Sequence, residues 1–219
     1  MYVQNKRFDE AIEIMNRHHF RRWEGGSGIH EEYVNVHILR GLAQLGNGNC
    51  EVAIEDFRAA LRYPLNLEDG KSYFGGPESM VYYYLGTAYE EMGATGQANA
   101  NFNKSVLAET PDTRQMFSFF KGLSLKMLGR EVVAQKIFSS LVQFGENELT
   151  GRRTVDVFAK FSVESEESRN ADAHFVLGLG LLGKGETASA KEHFQQAAEM
   201  DVNHLWTRSF LDQMKEFHR

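Results

Sequence analysis

Apolar residues along this chain recur at intervals of three and four, the period of one helix face, and no stretch alternates one-for-one as a half-buried strand does. Phe8, Ala11, Ile12, Met15 and His19 mark the first such face. Only three prolines interrupt the pattern, so the chain reads as mostly helical.

Aligning the small residues inside the apolar segments exposes an internal repeat in four copies. Gly41, Gly86, Gly122 and Gly178 serve as anchors, and each is followed seven residues later by a second glycine: Gly48, Gly93, Gly129 and Gly185. Twelve residues after the anchors stand Ala53, Ala98, Ala134 and Ala190, and sixteen after stand Phe57, Phe102, Phe138 and Phe194. The nineteenth position holds Ala60, Ser105, Leu141 and Ala197. Steps of four and then three put the last three positions on one helix face, while the anchor belongs to a preceding helix. The second glycine falls between them and can take the left-handed conformation that ends a helix, so it predicts the turn. Each copy is therefore a helical hairpin. Its small anchor and alanine let two backbones approach, and its phenylalanine fills the gap beside them.

These segments resemble the tetratricopeptide repeat (TPR), a hairpin of about 34 residues. In the fourth copy, Leu177, Gly178, Leu181, Gly185, Ala190, Phe194 and Ala197 fit the motif, with Val202 where a proline is often seen. In the second, Tyr82, Leu85, Gly86, Tyr89, Ala98, Phe102 and Pro111 fit. The first and third depart from it, with Arg40 and Lys121 where leucine is typical and Gln44 where a large apolar group is preferred. The resemblance implies an all-α fold of antiparallel helical hairpins stacked as a TPR right-handed superhelix, an α-solenoid. A second resemblance rests on the run Phe20 to Gly28 and on Arg62 to Leu67 with Gly70. It is to the carboxy-terminal TPR region of large uncharacterised bacterial proteins that carry an upstream β-rich domain. It implies that this chain is a piece or a stand-alone relative of such a protein.

The register divides the chain into a half-repeat at 5–20, repeats at about 34–64, 79–110, 115–146 and 171–203, and a capping helix at about 204–218. The half-repeat lacks a first helix, so its apolar stripe should be covered by an upstream domain, a second copy of the chain or a rearranged loop. In the capping helix Asn203 is the expected cap, with Leu205, Phe210, Leu211 and Met214 facing inward. Insertions fall at about Arg21 to Glu32, Pro64 to Pro77 and Asn147 to Asn170, the last with an expected short helix near Arg152 to Phe161. Such insertions lie along one rim of a solenoid. Trp23, Tyr73 and Phe74 stand in them beside glycines and acids, and either anchor the loops over the hairpin ends or form a contact rim for a partner.

In TPR proteins the first helix of each hairpin lines the groove. By that resemblance the lining includes Asn35 and Ile38, then Met80, Tyr83 and Thr87, then Met116 and Phe119, and finally Asp172 and Phe175. Only Asn35 and Lys126 are of the type that clamps a peptide carboxylate, so an amphipathic helix or an apolar peptide suits this lining better. The same stripe is also what a self-filled core would show.

Composition narrows the function. The net charge is −6, with 24 Lys and Arg against 30 Asp and Glu, and no basic run, which argues against a nucleic-acid partner. No apolar run approaches the roughly 20 residues of a membrane span, and the amino terminus has no secretory pattern, so the expected location is cytoplasmic. Cys50 is the lone cysteine, which excludes a cysteine zinc site and an internal disulfide. Ser27 lacks the second glycine of a nucleophile elbow, and Gly178-Leu179-Gly180 lies inside a predicted helix and not in a phosphate loop. His18 and His19 point about 100° apart on a helix, no paired ligand spacing occurs, and no metal or cofactor is expected. Glu164, Glu166 and Glu167 read as a solvated acidic run. The sequence thus points to a non-enzymatic scaffold for protein interactions. It binds a protein or peptide segment, or docks its own upstream domain, with a homodimer through the half-repeat as a further arrangement. The alternative is an accessory module of a carbohydrate-active enzyme whose catalytic residues lie on another domain.

Overall fold

The computed structural model describes residues 2–21, 28–71, 75–111, 115–151 and 165–216. Among them every regular element is helical: ten α-helices and two 3-10 turns, Val3–Asn5 and Leu65–Leu67. The chain divides into two units, Met1–Gly129 and Arg130–Arg219, and each is taken by itself. The expected short helix at 152–161 and the rim residues Trp23, Tyr73 and Phe74 lie outside the described residues.

The first unit holds α1 (Phe8–Arg17), α2 (Ile29–Gly46), α3 (Cys50–Ala59), α4 (Glu78–Glu91), α5 (Thr95–Leu107) and α6 (Gln115–Met127). Helices α2 and α3 form one hairpin and α4 and α5 the next, with α3 against α4 and α6 against both α4 and α5. The hairpin turns end on the expected glycines. Gly48 and Gly93 sit at φ +79° and +71°, where a side chain would be strained. Their amides donate to Leu45 and Glu90 carbonyls at 2.9 and 2.8 Å, while the next amides, of Asn49 and Ala94, reach back to Gln44 and Tyr89 at 2.9 Å each. This paired pattern closes the helix end and satisfies carbonyls that would otherwise lack partners.

Across each hairpin the anchor glycine receives the phenylalanine ring. A Cβ on Gly41 would lie 2.5 Å from Phe57 Cε1, and one on Gly86 would collide likewise with the Phe102 ring. Both rings are fully buried, and each such burial contributes on the order of 1.5–3 kcal/mol. A chain of buried hydroxyls ties the second hairpin to α6. Ser124 Oγ donates to Ser105 Oγ at 2.7 Å, Ser105 Oγ donates to the Ser79 carbonyl at 2.6 Å, and Ser79 Oγ donates to the Phe117 carbonyl at 3.0 Å.

The apolar stripe of helix α1 is covered, as the half-repeat requires. Ala11, Ile12 and Met15 are buried within the chain, with α1 packed on α2. Of the three coverings expected, the chain's own loop takes part. Asn66 Nδ2 donates to the Met15 and His18 carbonyls at 2.6 and 2.8 Å, and the Phe20 amide donates to the Asn66 carbonyl at 2.8 Å. The neighbouring Leu67 is buried.

The second unit holds α7 (Glu131–Leu149), α8 (Glu166–Lys184), α9 (Thr187–Met200) and α10 (Leu205–Glu216), each packed on the next. Ser165 starts α8, its hydroxyl accepting from the Ser168 amide at 3.1 Å. Gly178, inside α8 as expected, takes the Phe194 ring as Gly41 takes Phe57, with 2.6 Å from a Cβ to Phe194 Cε1. Two other glycines of α8 face α7. A Cβ on Gly180 would meet the Val142 amide nitrogen at 2.7 Å, and one on Gly183 would strike the Phe138 ring. Gly145 of α7 in turn lies against Leu177 and the Ala173 carbonyl. The two backbones meet nearly bare at this crossing, a closeness only glycine permits.

The last helix differs from expectation at its cap. Asn203 does not close α10. His204 Nδ1 instead accepts from the Thr207 amide at 3.1 Å and faces its hydroxyl at 2.7 Å. Trp206, Thr207, Phe210 and Met214 are buried, while Leu205 and Leu211 are half-buried. Thr207 is tolerated inside because His204 satisfies its hydroxyl, and the inward face is carried by 206, 210 and 214 at four-residue steps.

Candidate functional site

The residues expected along the first-helix face divide by depth. Asn35, Ile38, Met80 and Phe119 are buried in the first unit, whereas Tyr83, Thr87 and Met116 are half-buried. In the second unit Phe175 is buried and Asp172 is exposed. Helices α4 and α6 touch directly, so Tyr83, Thr87 and Met116 belong to two first helices that are neighbours within one unit.

Tyr83 is the centre of an aromatic array. Its ring centroid lies 5.4 Å from Tyr84, 5.6 Å from Phe120 and 6.0 Å from Phe102. Tyr84 in turn reaches Phe57 of the preceding hairpin at 5.7 Å. Burial pushes the Tyr83 phenol up; Thr87 opposes that shift by hydrogen bonding, and Glu90's charge adds to it. Thr87 Oγ1 also donates to the Tyr83 carbonyl at 3.1 Å. Tyr83 and Thr87 are thus half-buried side chains of α4 set on an aromatic bed, and Met116 is a half-buried thioether on the neighbouring α6.

Phe175 forms part of a second aromatic cluster with Phe194 at 5.8 Å, Phe210 at 5.9 Å and His204 at 4.7 Å. Asp172 Oδ1 accepts from His204 Nε2 at 2.9 Å. Both side chains thus seat α10 on α8.

Two polar groupings were invisible from motif spacing. Arg40, which stands in place of a leucine, donates from Nε and Nη2 to the Asp56 carboxylate at 2.6 to 3.0 Å and from Nη1 to Asp9 at 2.6 Å. His37 Nδ1 donates to Asp56 Oδ1 at 3.0 Å. Asp56 is only 2% exposed. Burial pushes its carboxyl up, but hydrogen bonds from His37 and Arg40, with the charge of Arg40, outweigh that and hold it below its ordinary 3.8. The other grouping is His174 with His193, whose Nδ1 atoms lie 3.0 Å apart. His37 and His174 both stand four residues before an anchor glycine, and Asp56 and His193 both stand fifteen after one. The repeat register therefore held the signal, at positions the family motif leaves open.

Elsewhere, His30 stacks on Tyr63 with centroids 4.0 Å apart, and burial, helped by the charges of Glu78 and Asp69, pushes the Tyr63 phenol up to about 12. Cys50 carries a free, half-buried thiol at the start of α3. Among the described residues no group of three or more His, Cys, Asp or Glu side chains converges as a metal site, and no helix is long and apolar enough to cross a membrane.

No family model matches the chain. A human protein, DnaJ homolog subfamily C member 7, is 24% identical over 181 residues, which cover 80% of this chain and 31% of that protein. The chain thus spans about a third of the length of this curated relative. Among solved structures, MamA 41-end from Desulfovibrio magneticus RS-1 aligns with a TM-score of 0.30 and 18% identity, covering 85% of each chain. Another, titled as the crystal structure of MamA, gives 0.28 and 19%, covering 77% of this chain and 78% of that one. The chain is all-α, built from antiparallel helical hairpins that carry the repeat register, and resembles the tetratricopeptide-repeat family of protein-interaction scaffolds.

Proposed function

We propose that the chain is a non-enzymatic scaffold that holds an amphipathic helix or an extended apolar segment, contributed by a partner or by its own upstream domain, on the first-helix face of α4 and α6. The observation that supports this is the half-buried Tyr83, set on the rings of Tyr84 and Phe120, on a helix that touches the one carrying half-buried Met116. Ile38, Met80 and Phe119 are buried within the same unit and are not contact residues in this reading. Aromatic and methionine side chains at a recognition face adapt to varied apolar anchors, and a rigid floor keeps them from collapsing.

The test is selection of binders from a displayed peptide library on the intact chain, followed by titration of the best peptide against Tyr83→Ala with Met116→Ala. Loss of at least tenfold in affinity, in a double variant that stays folded at the assay temperature, supports the reading. Unchanged affinity in a folded double variant overturns it.

A further inference from the structure

The pair formed by His174 of α8 and His193 of α9 takes no part in the recognition face. Their ring centroids lie 5.2 Å apart and their planes are 25° from parallel, while the two Nδ1 atoms approach to 3.0 Å. The rings therefore meet edge to edge with the Nδ1 atoms foremost, rather than face over face. That separation is a hydrogen-bond length. Two lone pairs meeting head-on leave no room for a metal ion, which needs about 2.0–2.1 Å to each nitrogen. One Nδ1 must carry a proton and the other must accept it.

We infer that His174 and His193 share a single bridging proton and act as a pH-sensitive latch across the α8–α9 hairpin. When both rings are neutral, one donates from Nδ1 and the other accepts, keeping its own proton on Nε2. A first added proton goes to the free Nε2 of the donor ring and leaves the bridge in place as a charged N–H···N bond. A second must go to the accepting Nδ1, which turns two N–H groups and two positive charges toward each other at 3.0 Å. The latch then opens.

Burial and the facing ring are the two causes that act on His174. Helical spacing puts Asn170, Ala171, Leu177 and Gly178 around His174, and Ser189, Ala190, Gln196 and Ala197 around His193, none of them ionisable. Helix α7 brings Ala134, Phe138, Leu141 and Gly145 to its buried face. His204, which precedes α10, is bonded to Asp172. Burial lowers the His174 imidazole below its ordinary 6.5, and the charge of His193 lowers it further. A folded value below the unfolded one gives stability that is present above 6.5 and is lost as pH falls through the folded value.

Position gives the latch a consequence. His174 and His193 immediately precede Phe175 and Phe194, two of the rings against which Phe210 of α10 packs. Opening the latch loosens the seat of the last helix.

The test is nitrogen-15 NMR of the histidine rings in the intact chain between pH 7.5 and 4.5, with amide exchange in α10 measured alongside. A scalar coupling between the two Nδ1 atoms at neutral pH, lost on acidification together with lower protection of the α10 amides once the intrinsic pH dependence of exchange is divided out, is the expected result. Finding both rings as separate Nε2–H tautomers with no coupling overturns the inference. The variant His193→Asp rebuilds the pairing of the first hairpin and should abolish the acid-induced loss of α10 protection. A loss equal to that of the wild type in the folded variant also overturns it.

Discussion

Gly180 of α8 lies so close to Val142 of α7 that a methyl group at position 180 would sit 2.7 Å from the Val142 amide nitrogen. Backbone cannot step aside as a side-chain tip can, so Gly180→Ala should destabilise the second unit by about 1–3 kcal/mol through overpacking. Gly46, which meets nothing within 4 Å, provides the opposite case, and Gly46→Ala should stabilise by about 0.5–1 kcal/mol through reduced chain entropy. Urea titration of the two variants separates the signs.

Arg40→Leu restores the residue that the repeat motif prefers, and should nevertheless be harmful. It strands the Asp56 carboxylate in the core with only the His37 hydrogen bond. The expected loss is about 2–4 kcal/mol, since breaking a buried pair costs several kcal/mol and His37 still donates. Adding Asp56→Leu should recover most of that loss, because two apolar groups replace the pair. A double variant as unstable as the single one would show that the network matters for packing rather than charge.

The depressed carboxyl of Asp56 also fixes a pH window. Its folded value lies below the ordinary 3.8, so its contribution is fully present above that value and disappears as pH falls through the lower folded value. Acid titration of wild type against Asp56→Asn should therefore show curves that converge below pH 3.8 and diverge above it.

Ser105→Ala should cost about 1–3 kcal/mol, because it removes the acceptor of Ser124 and the donor to the Ser79 carbonyl at one stroke. Ser124→Ala added to it should cost little more, since that hydroxyl has then already lost its partner. Denaturant midpoints of the two single variants and the double decide this, and simple additivity would break the proposed chain of hydroxyls.

The hairpins were legible because one register carried three independent demands: a bare anchor, a ring sixteen residues on and a left-handed turn between them. Gly41 with Phe57 and Gly178 with Phe194 satisfy all three. Depth was less legible. Periodicity names the face a residue occupies but not how near the neighbouring helix stands, and so it does not separate buried Ile38 and Phe119 from half-buried Tyr83 and Met116. Arg40 looked like a departure because its compensation, Asp56, lies on the partner helix sixteen residues away. The final helix was read one position off because His204, not Asn203, supplies its cap.

The bracket from Asn66 to the end of α1 has a consequence for biosynthesis. Its two partners, Met15 and Asn66, are separated by 51 positions, and a ribosome adding roughly 5–20 residues per second needs several seconds to cover that distance. Through that interval Ile12 and Met15 have been made but the loop that seals them has not. The newborn segment is then a target for chaperones or for a neighbouring nascent chain, and a slower codon run before Asn66 would lengthen the exposure without changing a single residue of the finished protein.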